Sequence, residues 1–254
     1  MRTIAASALA LALIISPASA RTHAPVPTIA AAVASPARSA DHVKMDESRK
    51  PAEVLRFLGL KPGMHVLDLF GGNRYWSEIF APAVGPTGSV LVWEPTQFYS
   101  PDSKTAFAAF EARNPNVSIV STPFEAPVLP KNRFDFVMLN LNYHDTYWKS
   151  DKYKIPEMNP AAFLKTVYAS MKPGAVIGVI DHVANPNKDT RATVEKYHRI
   201  DPNVVKADFK RAGFVLVGAS DILRNPADTH EVPVFDESIR GKTDRFIFKF
   251  KKPR

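Results

Sequence analysis

The sequence predicts an α/β fold with a seven-stranded, mostly parallel sheet, helices on both faces and an antiparallel edge strand. Three observations lead to this prediction. Short apolar runs of strand length alternate with helical patterns, as in parallel sheets built from β-α-β units. The glycine turn Gly71-Gly72 joins the first buried strand to the next helical segment. The last two strands are joined by the polar loop Arg224 to Lys242, which has no helical pattern and therefore predicts an antiparallel hairpin.

The N-terminus carries the pattern of a secretion signal. Arg2 precedes the apolar run Ile4 to Ile15, and Ala18-Ser19-Ala20 follows as a cleavage motif. We therefore expect residues 1–20 to be a signal peptide and the mature protein to be periplasmic or secreted. A permanent membrane anchor is the alternative, but the run is shorter than the ~20 apolar residues that span a bilayer.

The remaining chain divides into a leader and one domain. Residues 21–43 are rich in Ala and Pro and show no apolar period, which predicts a flexible leader. Residues 44–254 are expected to form the folded domain, with structure beginning near Asp46. With 254 residues and 45% hydrophobic content, the chain is long enough for one full core.

Charge and cysteine content exclude several classes of protein. The sequence has no cysteine, so it forms no disulfide and has neither a thiolate nucleophile nor a Cys-ligated metal. Its formal charge is +8, but the basic residues are scattered, which argues against a nucleic-acid partner. In the basic tail Arg245 to Lys252, phenylalanines alternate with Ile and Lys, which predicts a strand with one buried and one solvated face.

Apolar runs bounded by turn residues define the seven strands. They are Val66–Leu69, Ser89–Trp93, Val117–Val120, Phe134–Asn140, Ala175–Ile180, Phe214–Val217 and Arg245–Lys251. Between them, capping residues, Pro at first turns and amphipathic spacing predict helices. These helices are Pro51–Leu58, a segment from Tyr75, a segment from Asp102 through Glu111, one from Asn159-Pro160 through Met171, Thr190–Tyr197 and Pro202–Ala212.

Polar residues follow four of these strands. In open parallel sheets, ligands bind beyond the carboxyl ends of the strands, where the strand order reverses. The strand-end residues are Asp68, Glu94, Asn140 and the pair Asp181-His182. Glu94 lies about one β-α-β unit after the glycine turn, where its carboxylate could accept both hydroxyls of a ribose. The alternative is that Glu94 is a solvated loop residue.

The stretch from Asp68 to Arg74 resembles the first motif of class I S-adenosylmethionine-dependent methyltransferases, Asp-x-Gly-x-Gly-x-Gly. Asp68 and Gly72 match it, whereas Phe70 and Arg74 replace its first and last glycines. Further segments resemble a group of signal-bearing bacterial predicted methyltransferases with a Rossmann-like fold. These segments are Asp46–Pro51, Leu58–Gly63, Asn142–Asp145, Tyr197–Pro202 and Ser238–Arg245.

The resemblance implies S-adenosylmethionine as the cofactor. The cofactor-binding residues expected from it and from the strand ends are Asp68, Phe70, Gly71, Gly72, Arg74, Glu94 and Asn140. Arg74 has two interpretations, because a cation in the first helical turn opposes the helix dipole. It either pairs with the methionyl carboxylate of the cofactor or fills the cleft and blocks it.

A methyl acceptor needs alignment and, where it is an oxygen, a general base. His144, next to Asp145, is our first choice of base, with Tyr143 lining the pocket, and His182 is the second choice. His198-Arg199 and Arg224 would shape a pocket for an acidic acceptor or form salt bridges. Asp181-His182 and His144-Asp145 could together bind a divalent ion, but no His-x-x-x-His spacing occurs, so no metal is predicted.

The sequence therefore predicts an S-adenosylmethionine-dependent methyltransferase that acts on a small molecule, with no nucleic-acid partner and no stable membrane span after signal removal. The alternative is a non-catalytic exported binding protein with a degenerate methyltransferase fold. A nicotinamide-dependent oxidoreductase is a weaker interpretation, because Phe70 to Tyr75 does not supply Gly-x-Gly-x-x-Gly.

Overall fold

A computed structural model describes residues 26–254 of the chain. The predicted signal peptide 1–20 lies outside the described residues. One seven-stranded sheet forms the centre, and its strands are β1 (His65–Leu69), β2 (Ser89–Pro95), β3 (Val117–Thr122), β4 (Phe134–Asn140), β5 (Met171–His182), β6 (Val215–Ser220) and β7 (Arg245–Lys251). The helices are α1 (Ile29–Val33), α2 (Ala40–Lys44), α3 (Asp46–Arg49), α4 (Pro51–Leu58), α5 (Ser77–Val84), α6 (Pro101–Arg113), α7 (Pro160–Ser170), α8 (Thr190–Tyr197) and α9 (Pro202–Arg211).

The strand order is β3-β2-β1-β4-β5-β7-β6, and the pairs from β3 to β5 are parallel. Strand β7 runs antiparallel between β5 and β6. The predicted fold class is thus confirmed. The order reverses between β1 and β4, and in sheets of this kind ligands bind in a crevice beyond the carboxyl ends of the strands at that point.

The sheet buries apolar side chains on both faces because helices cover both faces. Residues Leu67 and Leu69 of β1 belong to one buried cluster, and Val66 belongs to the other. Alternate residues of a strand point to opposite faces, so β1 contributes to both halves of the core. On β5, Gly178 allows close packing of α4, because a Cβ there would lie 2.4 Å from a methyl carbon of Leu58.

Strand β7 differs from the prediction of one solvated face. Phe246, Phe248 and Phe250 are buried as predicted, but Ile247 is also fully buried. Lys249 is half-buried, and its Nζ donates to the Phe57 carbonyl oxygen at 3.2 Å. The physical reason is the position of β7 inside the sheet, where helices cover both of its faces.

Helical structure begins at Ile29, earlier than the sequence pattern predicts. In the part of the predicted leader that the structure describes, α1 packs against α4 and α5, and Ala32 is buried. Arg38 then forms a two-pronged ion pair with Asp46, at 2.6 and 2.8 Å. Small alanine side chains let this segment lie close to the domain, although they show no apolar period. Within residues 26–254, no helix has the length and apolar character needed to cross a membrane.

Candidate functional site

The turn between β1 and α5 places two glycines against two acidic side chains. Gly72 donates its backbone N–H to Glu94 Oε2 at 3.0 Å. A Cβ on Gly72 would lie 2.1 Å from Glu94 Oε1, and one on Gly71 would lie 2.8 Å from Asp68 Oδ2. A side chain at Gly71 would also lie 2.7 Å from a Val92 methyl carbon, and one at Gly72 would require the Glu94 carboxylate to move. The structure brings these four residues together at the crevice, although they come from two strands and the turn.

Both carboxyl groups are buried and have altered pKa values. Burial raises the pKa of Asp68 to about 7, although the Ser77 hydroxyl, which donates to Oδ2 at 2.5 Å, and the charge of Arg49 oppose the rise. Burial likewise raises the pKa of Glu94 to about 7, against the effect of the Gly72 N–H. Hydroxyl donors or a cation placed beside these groups would favour their ionised forms.

Phe70 and Arg74, which replace the expected glycines, both have left-handed backbone conformations. Their φ angles are +55° and +63°. Glycine adopts this region freely, whereas other residues pay roughly 1–2 kcal/mol. Phe70 offsets this cost by packing, since its ring lies edge-on to Trp93 with centroids 4.8 Å apart. Phe70 thus contributes its side chain to the core below the turn.

Arg74 lies in the turn, because α5 begins at Ser77 and not near residue 75. The expected conflict with the helix dipole therefore does not arise. Its Nη1 donates to the Gly72 carbonyl oxygen at 3.2 Å, and the guanidinium carbon is 5.6 Å from the ring centre of Phe107 on α6. Among the described residues, Arg74 forms no ion pair with Glu94. Its side chain is directed toward α6.

Arg49 on α3 is a nearby cation that no sequence pattern singles out. Its guanidinium carbon lies 4.3 Å from the ring centre of Tyr75. Within the described chain, its Nη1 is buried without a hydrogen-bond partner. Asp46, a neighbouring carboxylate, is occupied by Arg38 and by the Tyr75 hydroxyl, which donates at 2.7 Å. Burial lowers the pKa of Arg49, and the charges of Tyr75, Asp68 and Asp46 oppose this effect.

His144 follows β4, in a short 3-10 helix, His144–Tyr147, and faces Asp181 at the end of β5. The Asp181 carboxylate accepts the backbone N–H of His144 at 2.8 Å and contacts its Nδ1 at 2.7 Å. On the other side of the ring, Nε2 is 3.3 Å from Asp145 Oδ1. Burial opposes charge on this ring, but Asp181 and Asp145 outweigh it and raise the pKa of His144 to about 9. His144 therefore holds a proton at neutral pH and is not a free base in this state.

His182 has the opposite electrostatic environment. Its Nδ1 is 2.7 Å from the hydroxyl of Thr243. Burial lowers the pKa of His182 to about 3, although the charge of Asp181 opposes the change. The ring is therefore neutral at physiological pH and is a weak base.

A cavity of about 660 Å³ opens beside the two histidines. Its wall combines residues that follow β2 and β4, the last residue of β5 and two segments from later in the chain. Apolar rings of Phe98, Trp148 and Phe235 line it together with the polar groups of His144, Asp145, His182 and His198. This volume and mixed lining are typical of small-molecule sites.

Three residues considered for the acceptor pocket lie elsewhere. Tyr143 is fully buried, and its hydroxyl donates to Asp208 at 2.7 Å, so it does not line the cavity. Its neighbour His144 reaches the cavity because the 3-10 turn directs the two side chains differently. Arg199 forms a buried ion pair with Asp228, and Arg224 pairs with Asp244, so both follow the salt-bridge interpretation.

Asn140 ends β4, where its backbone pairs with Ile180 of β5. Its side chain is half-buried and forms no side-chain hydrogen bond within the described part of the chain. Its position at the crevice follows from the strand order alone.

The sheet order and the glycine turn define the class of fold, which is that of the class I S-adenosylmethionine-dependent methyltransferases. An S-adenosylmethionine-dependent methyltransferase from Aquifex aeolicus superposes with a TM-score of 0.57 at 18% identity, covering 84% of this chain and 100% of that chain. A 1,6-didemethyltoxoflavin-N1-methyltransferase from Burkholderia thailandensis, solved with S-adenosylhomocysteine, gives 0.51 at 16% identity, covering 84% and 80%.

Sequence comparison finds similarity to particular proteins. The ubiquinone/menaquinone biosynthesis C-methyltransferase UbiE of Shewanella baltica strain OS155 is 26% identical over 191 residues, or 75% of this chain. The alignment covers 65% of that relative's length. UbiE of Hydrogenovibrio crunogenus is 27% identical over 128 residues, covering 50% of this chain and 46% of the relative. No protein-family model matches the chain.

Proposed function

We propose that this protein is an exported S-adenosylmethionine-dependent methyltransferase that acts on a small molecule. The contact between Gly72 and Glu94 carries the proposal. It joins the Gly71-Gly72 turn to a carboxylate on the neighbouring strand, at the edge of the sheet where the strand order reverses. The relatives of similar fold named above are methyltransferases, and this supports the same cofactor class here.

The residues at this turn fit the cofactor. Glu94 presents one carboxylate oxygen to the Gly72 N–H and has a second with which to accept ribose hydroxyls. Gly71 and Gly72 have no Cβ that would separate a ligand from the backbone. S-adenosylmethionine supplies an electrophilic methyl group on a sulfonium centre. The chain binds and orients it, since methyl transfer mainly requires alignment of acceptor, methyl carbon and sulfur.

Arg49 is the cation that we assign to the methionyl carboxylate. Its unpaired, buried Nη1 lies near Asp68 at the same edge of the sheet, whereas Arg74 is directed toward α6. A carboxylate would supply the missing hydrogen-bond acceptor, and a charge-assisted bond of this type contributes about 1.5–3 kcal/mol. The ammonium group of the same methionyl moiety would lie beside the Asp68 carboxylate.

The cavity beside His144 is the proposed acceptor site. It lies at the carboxyl ends of β4 and β5, next to the crevice that holds Gly72. Its aromatic rings would stack on a flat apolar acceptor, and the polar groups at one end would orient a hydroxyl or carbonyl. We therefore propose an aromatic small molecule as the acceptor. The C-methyltransferase relatives, named for quinone biosynthesis, are consistent with this class.

Calorimetry on the purified protein tests the cofactor assignment. S-adenosylhomocysteine should bind with a micromolar dissociation constant, and Glu94→Gln should weaken it at least about 10-fold by removing a charged acceptor. Glu53→Gln is the matched control, because Glu53 is an exposed acid on α4. Unchanged affinity in Glu94→Gln would contradict the assignment.

The second candidate function is a non-catalytic exported binding protein. Phe70 and Arg74 favour it, because both hold glycine conformations at a backbone cost. This function requires that calorimetry detects no binding of S-adenosylmethionine or S-adenosylhomocysteine to the wild-type protein. Export is tested separately by mass spectrometry of the protein from the periplasmic or culture fraction, where we expect the chain to begin at Arg21.

A further inference from the structure

We propose that His144, Asp145 and His198 form a binding site for one divalent transition-metal ion. One nitrogen or oxygen atom of each side chain lies within 4.8 Å of the other two. His144 Nε2 is 3.3 Å from Asp145 Oδ1, and His198 Nδ1 is 3.9 Å from the same oxygen. The site uses none of the residues assigned to the methyl donor.

These distances are close to those of a metal-ligand set. Zn²⁺ binds imidazole nitrogen and carboxylate oxygen at about 2.0–2.2 Å, so tetrahedral ligands lie about 3.3–3.6 Å apart. The contact between His144 and Asp145 already has this length. Modest rotation of the His198 ring, which is half-buried at the cavity wall, would bring the third ligand into range.

The neighbours of these side chains orient them as metal ligands are usually oriented. Asp181 holds Nδ1 of His144 at 2.7 Å, which directs Nε2 toward Asp145, and a bound ion would displace the proton that Nε2 carries in the metal-free protein. Asn142 donates its Nδ2 to Oδ2 of Asp145 at 2.8 Å and leaves Oδ1 for an ion. A carboxylate bound to the far nitrogen of a ligating histidine is a recurrent feature of metal sites.

His198 is placed by an unusual backbone conformation. It ends α8 with a φ angle of +50°, a region that glycine favours at this position. Its ring lies between Trp148 and Phe235, with centroids 5.0 and 4.9 Å away. The backbone conformation is costly, and the ring packs against an aromatic side chain on each side. Together they hold the imidazole against Asp145.

The charge and chemistry of the cluster select the class of ion. In residues 26–254, neither Asp145 nor Asp181 forms an ion pair with Lys or Arg, so imidazoles or a bound cation must balance them. Two histidines and one carboxylate favour Zn²⁺ or Fe²⁺ over Mg²⁺ or Ca²⁺, which prefer oxygen ligands. Three protein ligands leave at least one position open to the cavity.

The open position suggests how the ion would act on the acceptor, a role that rests on the proposed function. A phenolic oxygen bound there would lose its proton to water more readily. Its lone pair would then form the O–CH3 bond while the methyl–sulfur bond breaks and leaves its electron pair on sulfur. Metal binding itself does not depend on this step.

Zinc titration tests the site directly. The purified full-length protein is stripped with a chelator and titrated with Zn²⁺ against a metal-binding dye. We expect one tight site, weakened at least about 100-fold in Asp145→Asn and in His198→Gln. His65→Gln is the matched control, because His65 lies at the opposite end of β1 and binds Ser89. No tight site in the wild type, or equal affinity in folded variants, would overturn the proposal.

X-ray absorption at the zinc edge of the wild-type protein provides a test that needs no variant. It should show two imidazole nitrogens with additional oxygen ligands, and a shell of oxygens alone would overturn the assignment. S-adenosylhomocysteine binding by the stripped protein is measured in parallel. If the protein binds S-adenosylhomocysteine but has no tight zinc site, only the metal site is refuted. If it binds zinc tightly but does not bind S-adenosylhomocysteine, only the proposed function is refuted.

Discussion

The strand-end crevice has a donor half, around Asp68 and Glu94, and an acceptor half, around His144 and Asp181. The pKa values of the buried carboxyl groups are raised in the donor half, whereas the pKa of Asp181 in the acceptor half is lowered. On the donor half, Asp68 and Glu94 have pKa values raised to about 7, and neither forms an ion pair with a cation in the described chain. On the acceptor half, burial also disfavours the charge of Asp181, but His144 outweighs it and lowers the pKa of that carboxyl. The donor half thus lacks the partners that a ligand would supply, whereas the acceptor half already contains a balanced pair.

The largest effect is expected from the substitution that removes the charged partner of His144 in the acceptor half. Asp181→Asn should lower the free energy of unfolding by about 3–5 kcal/mol, because it leaves the other member of a buried pair uncompensated. Asp181 also accepts the backbone N–H groups of His144 and His182. Chemical denaturation measures the loss, with Asp221→Asn as an exposed control. A loss below 1 kcal/mol would contradict the charged pair.

The next largest effect is expected from a substitution at the glycine turn of the donor half. Gly72→Ala should lower affinity for S-adenosylhomocysteine about 100-fold, because the new methyl would occupy the place of the Glu94 carboxylate. That factor corresponds to about 2.7 kcal/mol. Gly218→Ala is the control, since it lies on β6 and its Cβ would meet two Phe57 ring atoms at 3.2 and 3.4 Å and Lys249 Cβ at 3.7 Å. Equal affinity in the two variants would show that the turn is not the ligand site.

The donor half should also make stability depend on pH. Because the folded pKa of Glu94 is raised to about 7, its contribution to stability is fully present below its unfolded pKa of 4.5 and is lost as pH rises through 7. Glu94→Gln should therefore be more stable than wild type at pH 8 by about 2 kcal/mol, with little difference at pH 4. Thermal unfolding at both pH values measures this. A wild-type advantage at pH 8 would contradict burial without a counter-ion.

The smallest effect is expected from a substitution that removes one group of the donor half, the guanidinium assigned to the methionyl carboxylate. Arg49→Met should weaken S-adenosylhomocysteine about 10-fold through loss of one charge-assisted hydrogen bond. It should leave 5′-methylthioadenosine unaffected, because that ligand lacks the amino acid part. Competition binding with the two ligands measures the difference, and Arg56→Met on the exposed face of α4 is the control. Equal losses for both ligands would place Arg49 outside the carboxylate site.

Local pattern predicted most of the sheet. The bounds of β4 and β7 agree with the sequence prediction, because turn residues mark both ends of each apolar run. Strand β5 is longer than predicted, since it continues through Lys172-Pro173-Gly174 with a register shift opposite β4. Pro and Gly usually indicate a turn, and only pairing with a neighbouring strand shows the irregular extension.

The candidate site was predictable where one strand end supplies the residue. Asp68 lies beside Gly71 and Glu94 beside Gly72, because the parallel strands β1 and β2 end at one edge. Arg49 was missed because its burial depends on the packing of α3 against Tyr75, which no local pattern encodes. Tyr143 was misplaced because adjacency to His144 does not fix which side of a 3-10 turn faces the cavity.

A crystal structure with S-adenosylhomocysteine tests the central claim most directly. We predict that Glu94 will lie within about 3 Å of both ribose hydroxyls. The ligand sulfur should face the cavity that contains His144. Ligand density elsewhere on the protein, with Glu94 still bound only to the Gly72 N–H, would contradict the account.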